Sequence, residues 1–250
     1  MDKATYTYSL RMGDTCLILS HRLAELCSMG PYLEEDIAMT NISLDLLGGA
    51  DLFLAYAAEV EGKGRSADDL AYRRNERQYY NHLLVERPNK NFAHVMMRQF
   101  LHDALLHPLY SGLKLSKNEH LAGIAEKGVK ESIYHLRHSS SWIIRLAKGT
   151  DDSKAKLQNA LDDLWTYTGE MFECNEEEKN LAKDGIIPSF EELKSTWMKT
   201  VKEVFNEADL EVPKDKWMAT GGRHGEHSEY LGHMIAEMQY LPRAYPDAKW

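Results

Sequence analysis

The residues best suited to chemistry lie between Lys130 and Thr150, in KESIYHLRHSSSWIIRLAKGT. A helix carrying Glu-x-x-His presents a carboxylate and an imidazole on one face, and a bundle can use that pair to build a carboxylate-bridged di-iron centre. Glu131 stands at the acidic position, but its third neighbour is Tyr134. His135 follows one step later, turned about 100° around the helix. The same pattern is half kept earlier, where Asp45 is followed by Gly48 instead of histidine, and Asp103 lies on a segment between them. On the first segment no unambiguous ligand stands near Ser20 and Arg22. Hard carboxylates bridge irons and imidazoles complete the set. Here the carboxylates partly survive and both imidazoles are gone, so a degenerate pseudo-site of Asp45, Gly48, Asp103, Glu131, Tyr134 and His135 is expected, with no metal or other cofactor in this chain. Carboxylates stranded in a bundle core are strongly destabilising, which predicts that Asp45, Asp103 and Glu131 share a buried polar network with His135 or a nearby cation.

Other ligand sets are open to the same residue types. Glu131, His135 and His138 occupy i, i+4 and i+7 on one helical face and form a shifted metal set, although such residues more often hydrogen-bond within a core. His224 and His227, with Glu229 or His233, suit zinc only loosely: the H-E-x-x-H order is absent and no cysteine is near. An iron-storage bundle requires intact core ligands, which Gly48 and Tyr134 deny it. His21 and Glu25, and Asp103 and His107, are i,i+4 pairs whose simplest reading is a helix-surface contact.

These residues need helices to position them. Apolar residues at helical spacing run from about Tyr8 to Cys27 and stop at Gly30-Pro31. After Pro31, Glu34, Glu35 and Asp36 favour a helix N-terminus. The long helix that follows carries two adjacent apolar stripes, the mark of a helix central to a bundle, and Gly48-Gly49 suggests close approach of a neighbouring backbone. Ser66 and Asp69 make a capping box for a helix from Ala67 to roughly Val85, whose Arg73, Arg77 and Tyr80 form a candidate docking face. Asn91 caps a helix from Phe92 to about Leu115, kinked or broken at Pro108. The next runs from about Glu119 to Leu146 with Gly149 as C-cap, and another from Thr150 reaches Trp165 to Phe172. Beyond Glu173 the acidic CNEEEK segment and a Gly185–Pro188 turn lead to a helix begun by Ser189, then loop from Asn206 to Gly225, a helix from about Glu226 to Tyr240 and an extended tail from Pro242. The expected fold is all-α, one domain over 1–250, with a core bundle at about 8–172 and a C-terminal helical extension at about 173–250.

The totals agree. Two hundred and fifty residues with 43% hydrophobic content support one sizeable core. A net charge of -9 without a clustered basic face argues against a nucleic-acid partner. Three cysteines with no C-x-x-C pair suggest neither a disulfide framework nor a cysteine zinc site and fit a reducing cytoplasm. The N-terminus lacks a signal-peptide core, and no apolar run of membrane-spanning length is read.

Four distant segments carry a family resemblance: LEEDIAMTNISLDLLGGADLFLAYAAEVEG, DDLAYRRNERQYYNHLLVERPNKNFAHVMMRQF, KESIYHLRHSSSWIIRLAKGT and EHSEYLGHMIAEMQYLPRAYP. Together, across Tyr8 to Trp250, they resemble the C subunits of bacterial phenylacetyl-CoA epoxidases. That resemblance implies a ferritin-like structural subunit lacking its irons, which pairs with a catalytic A subunit holding the di-iron centre. It also implies contact with other small subunits or a reductase of the complex, or self-association, within a monooxygenase that epoxidises the CoA-activated ring in phenylacetate catabolism.

Overall fold

Side-chain caps set most of the helix starts. In the computed structural model, which describes residues 2–214, 217–246 and 248, Asp2 caps α1 (Lys3–Ala24), Asn91 caps α4 (Phe92–Leu113) and Asn118 caps α5 (Glu119–Ala147) by accepting from orphan backbone N–H groups. Capping boxes open α3 (Ala67–Tyr72), α6 (Asp151–Leu164) and α7 (Glu176–Lys183). The remaining helices are α2 (Leu33–Glu61), closed by Gly62 at φ 69°, α8 (Phe190–Ala208) and α9 (Glu229–Ala244). Among the described residues there is no strand, as the all-α expectation requires.

The ferritin-like frame is two intimate helix pairs, α1 on α2 and α4 on α5, with α2 and α5 meeting along a thinner seam. Gly13 sets the first pair, since a Cβ there would lie 2.7 Å from Leu54 Cδ2. The region expected as a C-terminal extension joins the same apolar cluster, which runs from Tyr8 to Ile235. In particular α8 lies across α4 and α5, with Trp197 buried and donating its indole N–H to the Leu101 carbonyl at 2.9 Å, and Phe205 packed against Phe100 at 5.7 Å between centroids.

Several boundaries differ from the sequence reading. The helix expected over Ala67–Val85 stops at Tyr72, because Arg74 turns its guanidinium inward to the buried Asp14 carboxylate. The chain then dives between helices, burying Tyr79, Asn81, Leu84, Val85 and Glu86. That stretch is core, not a peripheral helix, and Arg73, Arg77 and Tyr80 share no docking face: Arg73 bonds the Pro246 carbonyl, Arg77 is exposed and Tyr80 is half-buried. Helix α4 continues through Pro108 without a break, and Pro242 sits in the last turns of α9 instead of starting the tail. Helix α1 ends at Ala24, short of Cys27, and CNEEEK supplies the N-cap and the first half of α7. The expected tail reaches Asp247, Lys249 and Trp250, and the expected loop includes Asp215 and Lys216, all outside the described residues.

Candidate functional site

Where α2 faces α5, the residues singled out for chemistry gather along an open seam. His135 is buried, and its Nε2 lies 3.0 Å from Asp45 Oδ2. Asp45 itself keeps 37% of its side chain exposed, so the expectation of a carboxylate stranded in the core is corrected: on this helix the carboxylate reaches water on one side and imidazole on the other. One turn along, Glu131 is half-buried with its oxygen 3.8 Å from Lys127 Nζ. Its carboxyl is raised above the usual range, first by burial and then by the neighbouring Asp45 charge, which Lys127 partly offsets. A Cβ on Gly48 would meet only Lys127 Nζ, at 3.5 Å. The place where a metal-binding imidazole is missing therefore borders a lysine ammonium.

Asp103 is the one fully buried carboxylate of the set. Burial raises it to about 6, against the lowering influence of His135 and of hydrogen bonds from Ser139 Oγ and Gln99 Nε2, both at 2.8 Å. The predicted common network is thus divided. Asp45 belongs to His135, Asp103 to Gln99 and Ser139, and Glu131 to Lys127. His107, four residues beyond Asp103, instead meets Ser132 Oγ at 3.2 Å.

The shifted set does not converge either. His138 Nε2 lies 2.8 Å from Glu35 Oε2, which also accepts from Trp142 Nε1 at 2.7 Å. His135 and His138 therefore turn to different acids on α2, and Tyr134 lies between them, its ring 6.2 Å and 6.0 Å from theirs. Among the described residues no three His, Cys, Asp or Glu side chains converge as metal ligands. With Gly48 and Tyr134 at ligand positions and an ammonium beside Glu131, this donor set does not fit a carboxylate-bridged iron pair.

The zinc reading is corrected more sharply. His227 is buried with both ring nitrogens engaged, Nδ1 with Glu86 Oε1 at 2.6 Å and Nε2 with the Tyr79 carbonyl at 2.8 Å. Burial alone would lower this histidine, but the Glu86 carboxylate and the Tyr79 carbonyl outweigh it and hold its pKa above the ordinary value. His224, Glu229 and His233 are exposed. On α1, Ser20 Oγ donates to the Ser43 carbonyl and Arg22 Nε to the Glu86 carbonyl, so both residues tie elements together. Glu25 pairs with Arg22 at 2.7 Å, leaving His21 to pack edge-on against Tyr72.

Sequence reasoning missed what fills the bundle beside the seam. Tyr110 lies over Gly128, where a Cβ would come within 2.7 Å of its ring, and stacks with Phe53 at 6.2 Å. Its hydroxyl contacts Cys16 Sγ at 4.0 Å and lies 3.3 Å from where Gly49 would place a Cβ. Gly49 thus admits an aromatic side chain and a thiol while Gly48 borders Lys127, and neither meets the neighbouring backbone expected of the pair. Burial keeps both groups neutral, raising Cys16 to about 12 and Tyr110 well above its ordinary value. The usable signal was the pair of glycines at 49 and 128, on facing helices.

Beside this polar seam, α2 presents an uncovered apolar row. Leu33 and Leu44 are 71% and 59% exposed, with Ile37 and Leu47 between and after them on the same arc. Expected to be central and buried, α2 is covered on one side only. By length and composition it could cross a membrane, with a mean hydropathy of 1.3 over 18 residues, and 44% of that window is buried inside the bundle.

The family model described as Phenylacetic acid catabolic protein matches residues 1–250. The curated C subunit of the 1,2-phenylacetyl-CoA epoxidase of Escherichia coli (strain K12) is 47% identical over 243 residues, covering 97% of this chain and 98% of that protein.

Proposed function

The chain belongs to the phenylacetic acid catabolic protein family, and on that premise we propose that it is a non-catalytic structural subunit of a bacterial multicomponent monooxygenase. The complex epoxidises phenylacetyl-CoA in aerobic phenylacetate catabolism, in the cytoplasm. Within it this chain pairs with the catalytic A subunit, which holds the di-iron centre, and keeps that subunit in an active assembly. The observation that carries the reading is near full-length similarity to a protein named as the C subunit of that epoxidase.

The site's chemistry supports the division of labour. An oxygen-activating iron pair needs several carboxylates and imidazoles around two metals with open positions. Here each acid of the seam already has its own histidine, lysine or amide partner. The apolar row of α2 supports the pairing, because Leu33, Ile37, Leu44 and Leu47 expose apolar surface along one side of a folded chain. Such a face gains free energy when a partner removes it from water, and the half-buried ion pairs beside it suit the polar rim of an interface.

Metal content and O2-dependent turnover of the purified chain, alone and after mixing with the catalytic subunit, test the proposal. The expected outcome is no stoichiometric iron in the isolated chain, a stable heteromeric complex, and turnover only in the mixture. Near-stoichiometric iron in the isolated chain, lost when Glu131, His135 and His138 are replaced, would overturn it.

A further inference from the structure

Away from the seam, a largely enclosed cavity of about 40 Å³ lies between α1, α4 and the buried crossover. Tyr8, Arg11, His82 and His102 line it, and each is more than nine-tenths buried. Tyr8 Oη, Arg11 Nε and both ring nitrogens of His82 and His102 have no hydrogen-bond partner among the described residues. Burying a polar atom without a partner is costly, and so many around one small space point to an occupant. We infer that this cavity is a binding site for a small monovalent anion of chloride size, held by the Tyr8 hydroxyl, the Arg11 guanidinium and N–H donors of the His82 and His102 rings.

Charge chooses the class. Two guanidiniums, Arg11 and Arg223, face the cavity against the single carboxylate of Glu178, and that carboxylate is already taken: Arg11 Nη1 reaches it at 2.8 Å and Arg223 Nη2 at 2.5 Å. Nearby Glu170 is turned to the backbone N–H groups of Leu83, Gly221 and Arg223. Burial holds His82 well below its ordinary pKa and His102 at about 3, so both rings are neutral, each with one N–H to donate. A metal cation would sit beside excess positive charge, which excludes it. Size chooses within the class: sulfate or phosphate needs more room and more donors, while the remaining wall is mostly apolar, with Leu105, Leu106 and Leu193 among its residues. A weakly hydrated halide tolerates such a wall.

Bromide is the probe, used on the full chain. In crystals grown in sodium bromide, anomalous scattering is expected to place a peak within hydrogen-bond distance of Tyr8 Oη and an imidazole nitrogen. In solution, Tm is expected to be roughly 2–4 °C higher in saturating sodium chloride than in sodium gluconate of equal ionic strength. Tyr8→Phe removes one donor while keeping the ring, and is expected to weaken the chloride midpoint roughly tenfold. Water in the cavity with bromide confined to the surface overturns the inference. So does equal Tm in the two salts, or the same chloride midpoint in Tyr8→Phe and wild type. Should that variant fail to fold, the bromide map of the wild type decides.

Discussion

The two sets of carboxylates in this molecule have opposite environments. In the α2/α5 seam, Asp45 and Glu131 are partly solvated and each meets one neighbour. Around the buried crossover that follows Tyr72, Asp14 of α1 and Glu86 are fully buried, and each carboxylate oxygen accepts a hydrogen bond. Asp14 accepts from Arg74 Nη1 at 3.0 Å and from the Tyr80 N–H at 2.8 Å. Glu86 accepts from Asn81 Nδ2, His227 Nδ1, and both the N–H and the hydroxyl of Ser228. An acid that commits both oxygens to the protein's own donors holds a fold together. One that leaves lone pairs toward solvent, beside an uncovered apolar row, is available to something outside the chain. The buried set carries stability, and the seam is the region that the proposed pairing would use.

The comparison is broken most directly from the buried side. Asp14→Ala strands the Arg74 guanidinium in the core and is expected to cost about 3–5 kcal/mol, read as a fall in the urea midpoint. Asp45→Asn, by contrast, is expected to change stability by less than about 1 kcal/mol, because its pair is partly solvated. Equal losses in the two variants would erase the distinction between the regions. On the seam side, Leu44→Glu places a charge in the apolar row and is expected to weaken binding to the catalytic subunit by at least about 2 kcal/mol while leaving the isolated chain within about 0.5 kcal/mol of wild type. Calorimetric titration against chemical denaturation separates the two.

Two further changes sharpen the contrast. Gly128→Ala forces a methyl into the Tyr110 ring and is expected to cost about 1–3 kcal/mol by overpacking, with a lowered Tm. Asp103 links the regions, being grouped with the seam acids yet buried like those of the crossover. Its folded pKa, about 6, lies above the unfolded value near 3.8. Its neutral form is therefore favoured in the fold, and its contribution is fully present below about pH 4 and lost as pH rises through about 6. Asp103→Asn removes that loss and is expected to stabilise the chain by roughly 1–2 kcal/mol at pH 7.5, with the gain vanishing near pH 4. A gain independent of pH would mean that the carboxylate is not the source.

Long periodic segments were legible because their signals are local. The helices of Asp45, Asp103 and Glu131 follow from apolar spacing and from caps such as Asn91. The stretch after Tyr72 was not, since its composition is helical while its course is decided by Arg74 reaching Asp14, sixty residues away. The candidate site was half legible. That Gly48 and Tyr134 stand three residues after Asp45 and Glu131 is visible in one dimension, as are the i,i+4 spacings of Gln99 with Asp103 and Lys127 with Glu131, but the pairing of Asp45 with His135 is not. Lys127 stands four residues before Glu131 on α5, so that pair is a matter of spacing, whereas its approach to Gly48 of α2 depends on how the two helices meet.

The sequence by itself determined the all-α class and the long helices, since each depends on residue type and spacing along one helix. Only the tertiary structure decided that Asp45 faces water, that Glu86 closes on His227 and Ser228, that Tyr110 fills the space over Gly128, and that one apolar side of α2 stays uncovered. Those outcomes depend on which faces meet, and a helix with two apolar stripes does not specify which of them its own chain will cover.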